Sequence, residues 1–205
     1  LFRDFIEQQG LWVFFVCVYA GSGLIANDRR TNALQIYLSK PLMRVEYIVG
    51  KLAVLMFFLA SITLLPALLL VIVQIAFAGS LSLMRASPQI VPAVVLSSVI
   101  RVAVASITML ALSSLSKSSR FVAILFTGVI FFSEAMYGVL TFLTGSTAVA
   151  WVSIPSNLEQ VTDVLFRLDP SYDTPIIVSA FVLIGVVVLS VSVLERRVRG
   201  VEIVS

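Results

Sequence analysis

Between residues 10 and 194 this sequence holds five apolar stretches in which charged side chains are rare. They run Gly10–Ala26, Lys51–Ala78, Gln89–Leu115, Phe121–Leu143 and Pro175–Leu194. A helix needs about 20 apolar residues to cross the roughly 30 Å hydrocarbon core, and tilt or local thinning absorbs small departures. No water is present there to satisfy stray N–H and C=O groups, so stretches of this kind predict helices. The third and fourth are separated only by Ser116–Arg120, which predicts a helical hairpin. The expected fold is an all-α membrane protein, a polytopic helical bundle forming one domain over residues 1–205. A connecting loop would fill 27–50 and an outer segment 145–174.

Composition closes the other routes. With 60% hydrophobic residues, 12% charged residues and a mean hydropathy of +1.08, a water-soluble domain would expose far too much apolar surface. The net charge of +3 does not imply nucleic acid, because the basic residues flank the apolar stretches and form no surface stripe. There is no His, and the single Cys17 lies within an apolar stretch. Histidine metal sites, Cys/His nucleophiles and disulfides are therefore excluded, and no catalytic, metal or cofactor-binding residue is predicted. Leu1 to Gly10 is amphipathic and charged, unlike a signal peptide.

Charge placement predicts orientation. Arg29, Arg30, Lys40, Arg44, Lys51, Lys117, Arg120, Arg196, Arg197 and Arg199 fall on one set of connections, and only Arg3, Arg85 and Arg167 on the other. Basic loops stay cytoplasmic, so the C-terminus is expected inside and Leu1 outside, in a cytoplasmic (inner) membrane. An outside start without a signal peptide suggests a preceding span, six in all, with Leu1–Gly10 the tail of an outer loop. The outer segment is acidic, with Glu159, Asp163, Asp169 and Asp173. Within it, Ile154–Leu168 has the spacing of an amphipathic surface helix, with Leu158, Val161, Val164 and Leu165 on one face.

The loop from Ala26 to Lys51 is the one long patterned polar segment. Asn27 or Asp28 is expected to cap the first span. Thr31 would cap a short helix at Asn32–Ser39 that places Leu34, Tyr37 and Leu38 on one face. Pro41 would end it, since its ring removes an N–H and biases Lys40 away from helical angles. A second helix would begin near Leu42 and enter the membrane. The apolar face of the short helix needs a cover. Headgroups, with the basic residues on anionic lipid, and a docked protein both satisfy that need.

The order D-R-R, Y-L-S-K-P-L-x-R-x-E-Y-x-x-G-K, followed by a long span containing Pro66, resembles the permease subunits of ABC transporters of the ABC-2 type. It is carried by Asp28, Arg29, Arg30, Tyr37, Leu38, Ser39, Lys40, Pro41, Leu42, Arg44, Glu46, Tyr47, Gly50 and Lys51. The resemblance implies six spans, a translocation pathway formed by a dimer with itself or a related permease, and export driven by a separate ATPase subunit. It implies that the loop docks on that ATPase, with Leu34, Tyr37 and Leu38 as anchors. Asp28, Arg29, Arg30, Lys40, Pro41, Arg44 and Glu46 belong to the same contact. No G-x-x-x-x-G-K-[ST] phosphate loop occurs in this chain, so ATP and Mg are expected in the partner.

Arg101 and Glu134 are the two ionisable residues deep inside apolar stretches. They lie sixteen residues from Lys117 and fourteen from Arg120, depths that differ by roughly 3 Å at 1.5 Å per residue. An intramembrane ion pair is therefore predicted, either locking the hairpin or lining a pathway. Pro66 is expected to kink the second span, with Ser61 and Thr63 compensating for the freed carbonyl of Ile62. Gly21 and Gly23 would permit close helix approach. Trp12, Phe14, Phe15, Phe131 and Phe132 read as packing or interfacial residues. The alternative to a transport subunit is a membrane anchor that recruits a cytosolic partner and moves nothing.

Overall fold

A computed structural model describes residues 1–31, 44–78 and 88–199. Its elements are α1 (Phe2–Val16), a π-helical turn (Cys17–Gly21), α2 (Gly23–Arg30), α3 (Arg44–Ala78), α4 (Ile90–Leu115), α5 (Ser119–Thr144), a 3-10 turn (Thr147–Val152), α6 (Ile154–Leu165) and α7 (Ile176–Arg199). No strand occurs among the described residues. Among the described residues five helices are long and apolar enough to cross a membrane: Phe2–Arg30, Val45–Phe77, Ile90–Leu115, Ser119–Thr144 and Ile176–Arg197. The all-α bundle with five spans therefore stands.

The first span differs from the sequence reading at both ends. It starts at Phe2, so Leu1–Gly10 is no loop tail, and Ile6 and Gln9 are buried. Of the charges that argued for a loop, Arg3 is met by Glu159 and Asp163 of α6, while Asp4 and Glu7 pair with Arg3 on their own helix. At its other end the helix runs past Asn27 and Asp28 to Arg30, so neither residue is a cap. Thr31 follows it and donates back to the carbonyls of Asn27 (3.0 Å) and Asp28 (3.4 Å).

The π turn divides this span. Ser22 N–H bonds to Cys17 C=O at 3.1 Å, five residues back, which inserts one residue and leaves the first turn of α2 short of acceptors. Ser113 of α4 supplies one. Its Oγ accepts from the N–H groups of Ile25 (3.0 Å) and Ala26 (3.1 Å) and donates to Ser22 C=O (2.9 Å). The side chain of one membrane helix thus acts as the N-cap of another.

Helix α4 is the centre of the bundle, packed against α1, α2, α3, α5, α6 and α7. It can be central because it is lined with small residues: Ser97, Ser98, Ser106, Ser113 and Ser114 are all buried. Ser97, Ser106 and Ser114 turn their hydroxyls back onto their own helix. Around α4 the main core joins Val13, Cys17, Leu55, Leu59, Val102, Met109, Val122 and Phe126. Gly21 is required there, since a Cβ would lie 2.5 Å from Met109 Cγ and 3.2 Å from Leu55 Cδ2. Gly23 meets only Asn27 of its own helix, so the expected close approach holds at one glycine and not the other.

The outward faces are apolar. Phe57, Leu65, Leu69 and Phe77 on α3, Phe131, Phe132 and Phe142 on α5, and Phe181 and Ile184 on α7 are exposed. This inside-out pattern suits a bundle whose surroundings are lipid. Helix α3 continues through Pro66. Ser61 and Thr63 do not serve Ile62, and instead donate to the carbonyls of Phe57 and Leu59, both at 2.8 Å.

Helix α6 is the amphipathic helix expected in the outer segment, ending three residues earlier than the spacing suggests. Ser153 caps it, Pro155 sits in its first turn, and it ends at Leu165. The face turned inward is polar, made of Ser156, Asn157, Gln160 and Asp163, while Val164 is exposed. In water the apolar stripe would face the core. In a lipid-embedded bundle the polar stripe turns inward, where it finds hydrogen-bond partners.

Candidate functional site

Two clusters of polar side chains occupy opposite ends of the bundle. At the end that carries Lys117 and Arg120, α2 and the start of α3 lie side by side. Asp28 accepts from Tyr47 Oη at 2.7 Å and pairs with Lys51 Nζ at 2.7 Å, while the Lys51 ammonium lies 5.7 Å from the centre of the Tyr47 ring. Tyr47 is itself buried beside Ile25 and Leu110. This clasp bridges a gap of 19 residues and fixes the spacing of the two stems of the loop. Next to it, Arg29 Nη1 donates to the carbonyl of Ser114 in the last turn of α4. That acceptor is one of the four carbonyls a helix end leaves open, and a cation there also meets the favourable end of the helix dipole.

Of the residues assigned to the loop contact, Asp28 and Arg29 are thus engaged within the chain. Arg30 and Glu46 are exposed, Glu46 in the first turn of α3 where a carboxylate suits the helix dipole. Leu34, Tyr37, Leu38, Lys40 and Pro41 lie outside the described residues, as does the side chain of Arg44.

At the opposite end a cavity of about 360 Å³ opens between α1, α4, α5 and α6. Its walls are mainly apolar, with Phe14, Phe126, Phe131, Ile154 and Leu158 among them, and Glu7, Arg101, Glu134, Glu159 and Tyr172 also line it. Phe14 stacks on Phe126 at 6.0 Å and meets Phe15 and Phe131 edge-on, so Phe14 and Phe126 pack inside while Phe15 and Phe131 also reach the outer surface.

The predicted pair of Arg101 and Glu134 is not formed. Both line the cavity. Among the described residues, however, Arg101 makes no ion pair or hydrogen bond, and its Nε is buried without a partner. Glu134 accepts instead from Ser153 Oγ, the capping residue of α6. Spacing along the sequence carries no information on the partner each side chain turns to, and Ser153 at the start of α6 takes up Glu134.

Sequence reasoning missed the network that closes this end. Arg3 on α1 donates through Nε to Asp163 (2.7 Å) and through Nη2 to Glu159 and Ser171 Oγ (2.8 Å), and it also pairs with Glu7. Asp163 is fully buried and accepts from the N–H (3.0 Å) and Oγ (2.6 Å) of Ser171. Tyr172 Oη donates to the other oxygen of Glu159 at 2.6 Å, and Gln160 holds the backbone of Tyr172 and Thr174. Burial, together with that hydrogen bond to Glu159, raises the Tyr172 phenol above its ordinary value, so it stays a neutral donor. The available signal was one of charge: a lone Arg near the start of the chain and an acidic outer segment, both assigned to the same side.

Gly10 completes the geometry. A Cβ there would lie 2.7 Å from Arg101 Nη1, so α1 comes against the guanidinium only because that residue has no side chain. The described residues hold no cluster of ligands suited to a metal ion. Neither a family model, nor a curated protein, nor a solved structure matches this chain.

Proposed function

We propose that this chain is a transmembrane subunit of an ATP-driven transporter of the ABC-2 permease type. Two such subunits would form the passage, and a separate ATPase would bind the loop at 27–50 on the cytoplasmic side. The observation that carries this reading is the clasp. Asp28, Tyr47 and Lys51 belong to the motif on which the resemblance rests, and they meet at one point where the loop enters and leaves the membrane. A loop held this way would transmit a push on its tip to α2 and α3 together, because neither stem can move alone without breaking the part-buried contacts of Asp28. That is the mechanical property an ATPase-coupling element needs.

The cavity supports the same reading, since ionisable residues within the membrane mark pathways when they are not paired off. The test is a Tyr37→Ala/Leu38→Ala protein reconstituted with its ATPase in proteoliposomes. Basal ATP hydrolysis should persist while ATP-driven movement of solute or lipid is lost. Wild-type coupling in the double variant would refute the docking role. Intact ATPase association with no ATP-dependent movement, even by the wild type, would favour an anchor that moves nothing.

A further inference from the structure

Every carboxylate around the cavity is already engaged. Glu7 pairs with Arg3, Glu159 holds both Arg3 and Tyr172, and Glu134 accepts from Ser153. The donors are in a different state. Arg101 is 92% buried, being 8% exposed, lines the cavity, and among the described residues makes no hydrogen bond or ion pair. Thr108 lines the same cavity, is equally buried, and its Oγ1 also lacks a partner. The two are seven residues apart on α4, hence on one face and about 10 Å apart along its axis.

An unpartnered guanidinium in a low-dielectric interior is costly and is not retained for stability. It has up to five N–H donors in a planar fork suited to a carboxylate or phosphate. The walls between the two donors are Val104 and Ala105, faced by Phe14, Phe126 and Ile130. A small hydrated anion would leave those walls bare. A molecule with an anionic head and an apolar body would cover them. The volume of about 360 Å³ lies within the usual range of pockets for small organic ligands.

We propose that this cavity is a binding site for a single-chain anionic amphiphile, its carboxylate or phosphate held by Arg101. The apolar chain runs along α4 toward Thr108, whose hydroxyl donates to a second acceptor such as an ester carbonyl. The site does not depend on the transport reading, because occupancy is an equilibrium property that needs no ATP.

The test uses the full-length protein in phosphatidylcholine nanodiscs, with a dansylated medium-chain fatty acid as probe. Saturable fluorescence enhancement is expected, weakened about tenfold or more by Arg101→Met, as loss of a charge-assisted contact implies. Thr108→Val should weaken a probe bearing an ester carbonyl a few-fold and leave the plain fatty acid unchanged. Without probe, the melting temperature of Arg101→Met should equal or exceed that of the wild type, since no partner is lost; saturating probe should raise only the wild type.

The assignment is overturned by a lower melting temperature, or by failure to fold, in Arg101→Met, which would make the arginine a structural partner. Tighter binding of the matching dansylated alkylamine would overturn the sign of the ligand. Full competition by inorganic phosphate at its usual millimolar level would overturn its amphiphilic character. Absence of ATP-driven transport would leave the assignment untouched.

Discussion

Arg3 shows how one residue can determine the shape of one end of this molecule. Its side chain is 17% exposed and reaches Asp163, which is 1% exposed, across 160 positions of sequence. Removing one partner of a buried ion pair strands the other charge, at a cost of about 3–5 kcal/mol. Asp163 keeps two hydrogen bonds from Ser171, which places Arg3→Gln near 3 kcal/mol, the lower end of that range. Thermal unfolding in nanodiscs should show a clear drop for Arg3→Gln and none for Asp4→Asn, whose carboxylate lies open to the surroundings. Equal melting temperatures for Arg3→Gln and wild type would mean that the network carries no stability. Arg101 is the counter-example at the same scale. It is more deeply buried, at 8% exposed, and among the described residues has no partner, so its role lies in what it binds.

At the scale of the helix, the apolar pattern made existence and order legible and left boundaries and faces open. Each of the five spans was visible because hydrocarbon admits few alternatives to a helix. The extension of the first span to Phe2 was not visible, because Arg3 looks like a loop residue until Asp163 and Glu159 are brought beside it. The spacing put Leu158, Val161, Val164 and Leu165 of α6 on one face but left open which way that face turns. An apolar stripe turns to the core in water and outward in lipid, and sequence spacing is the same for both; here Val164 is exposed while Leu158 lines the cavity. The cap that Ser113 provides to α2 was also illegible, since the residues are separated by 88 and 87 positions and no local signature exists. Ser113→Ala should leave the N–H groups of Ile25 and Ala26 without their acceptor, for a loss of about 1–2 kcal/mol. Hydrogen exchange should locate the effect at residues 22–27, with α7 unchanged. Protection there equal to that of the wild type would show that the π turn supplies its own acceptors.

For the whole molecule, the two ends divide the work between them. One end is closed by Arg3, Glu159, Asp163 and Tyr172 above a cavity with an open guanidinium. The other fastens the stems of a basic loop through Asp28, Tyr47 and Lys51. The central helix α4 joins the two, since it carries Arg101 near the cavity and Ser113 and Ser114 beside the clasp. Helices α2 and α3 both pack on the helix that lines the cavity, and under the proposed function a displacement of the two stems would reach the cavity through it. The measurement that tests this most directly is photo-crosslinking from a benzoylphenylalanine placed at Tyr37 in the native membrane. The account predicts an adduct with a phosphate-loop ATPase on the cytoplasmic side, with a yield that changes on adding ATP. Adducts with lipid alone, or capture by a reagent confined to the exterior, would contradict it.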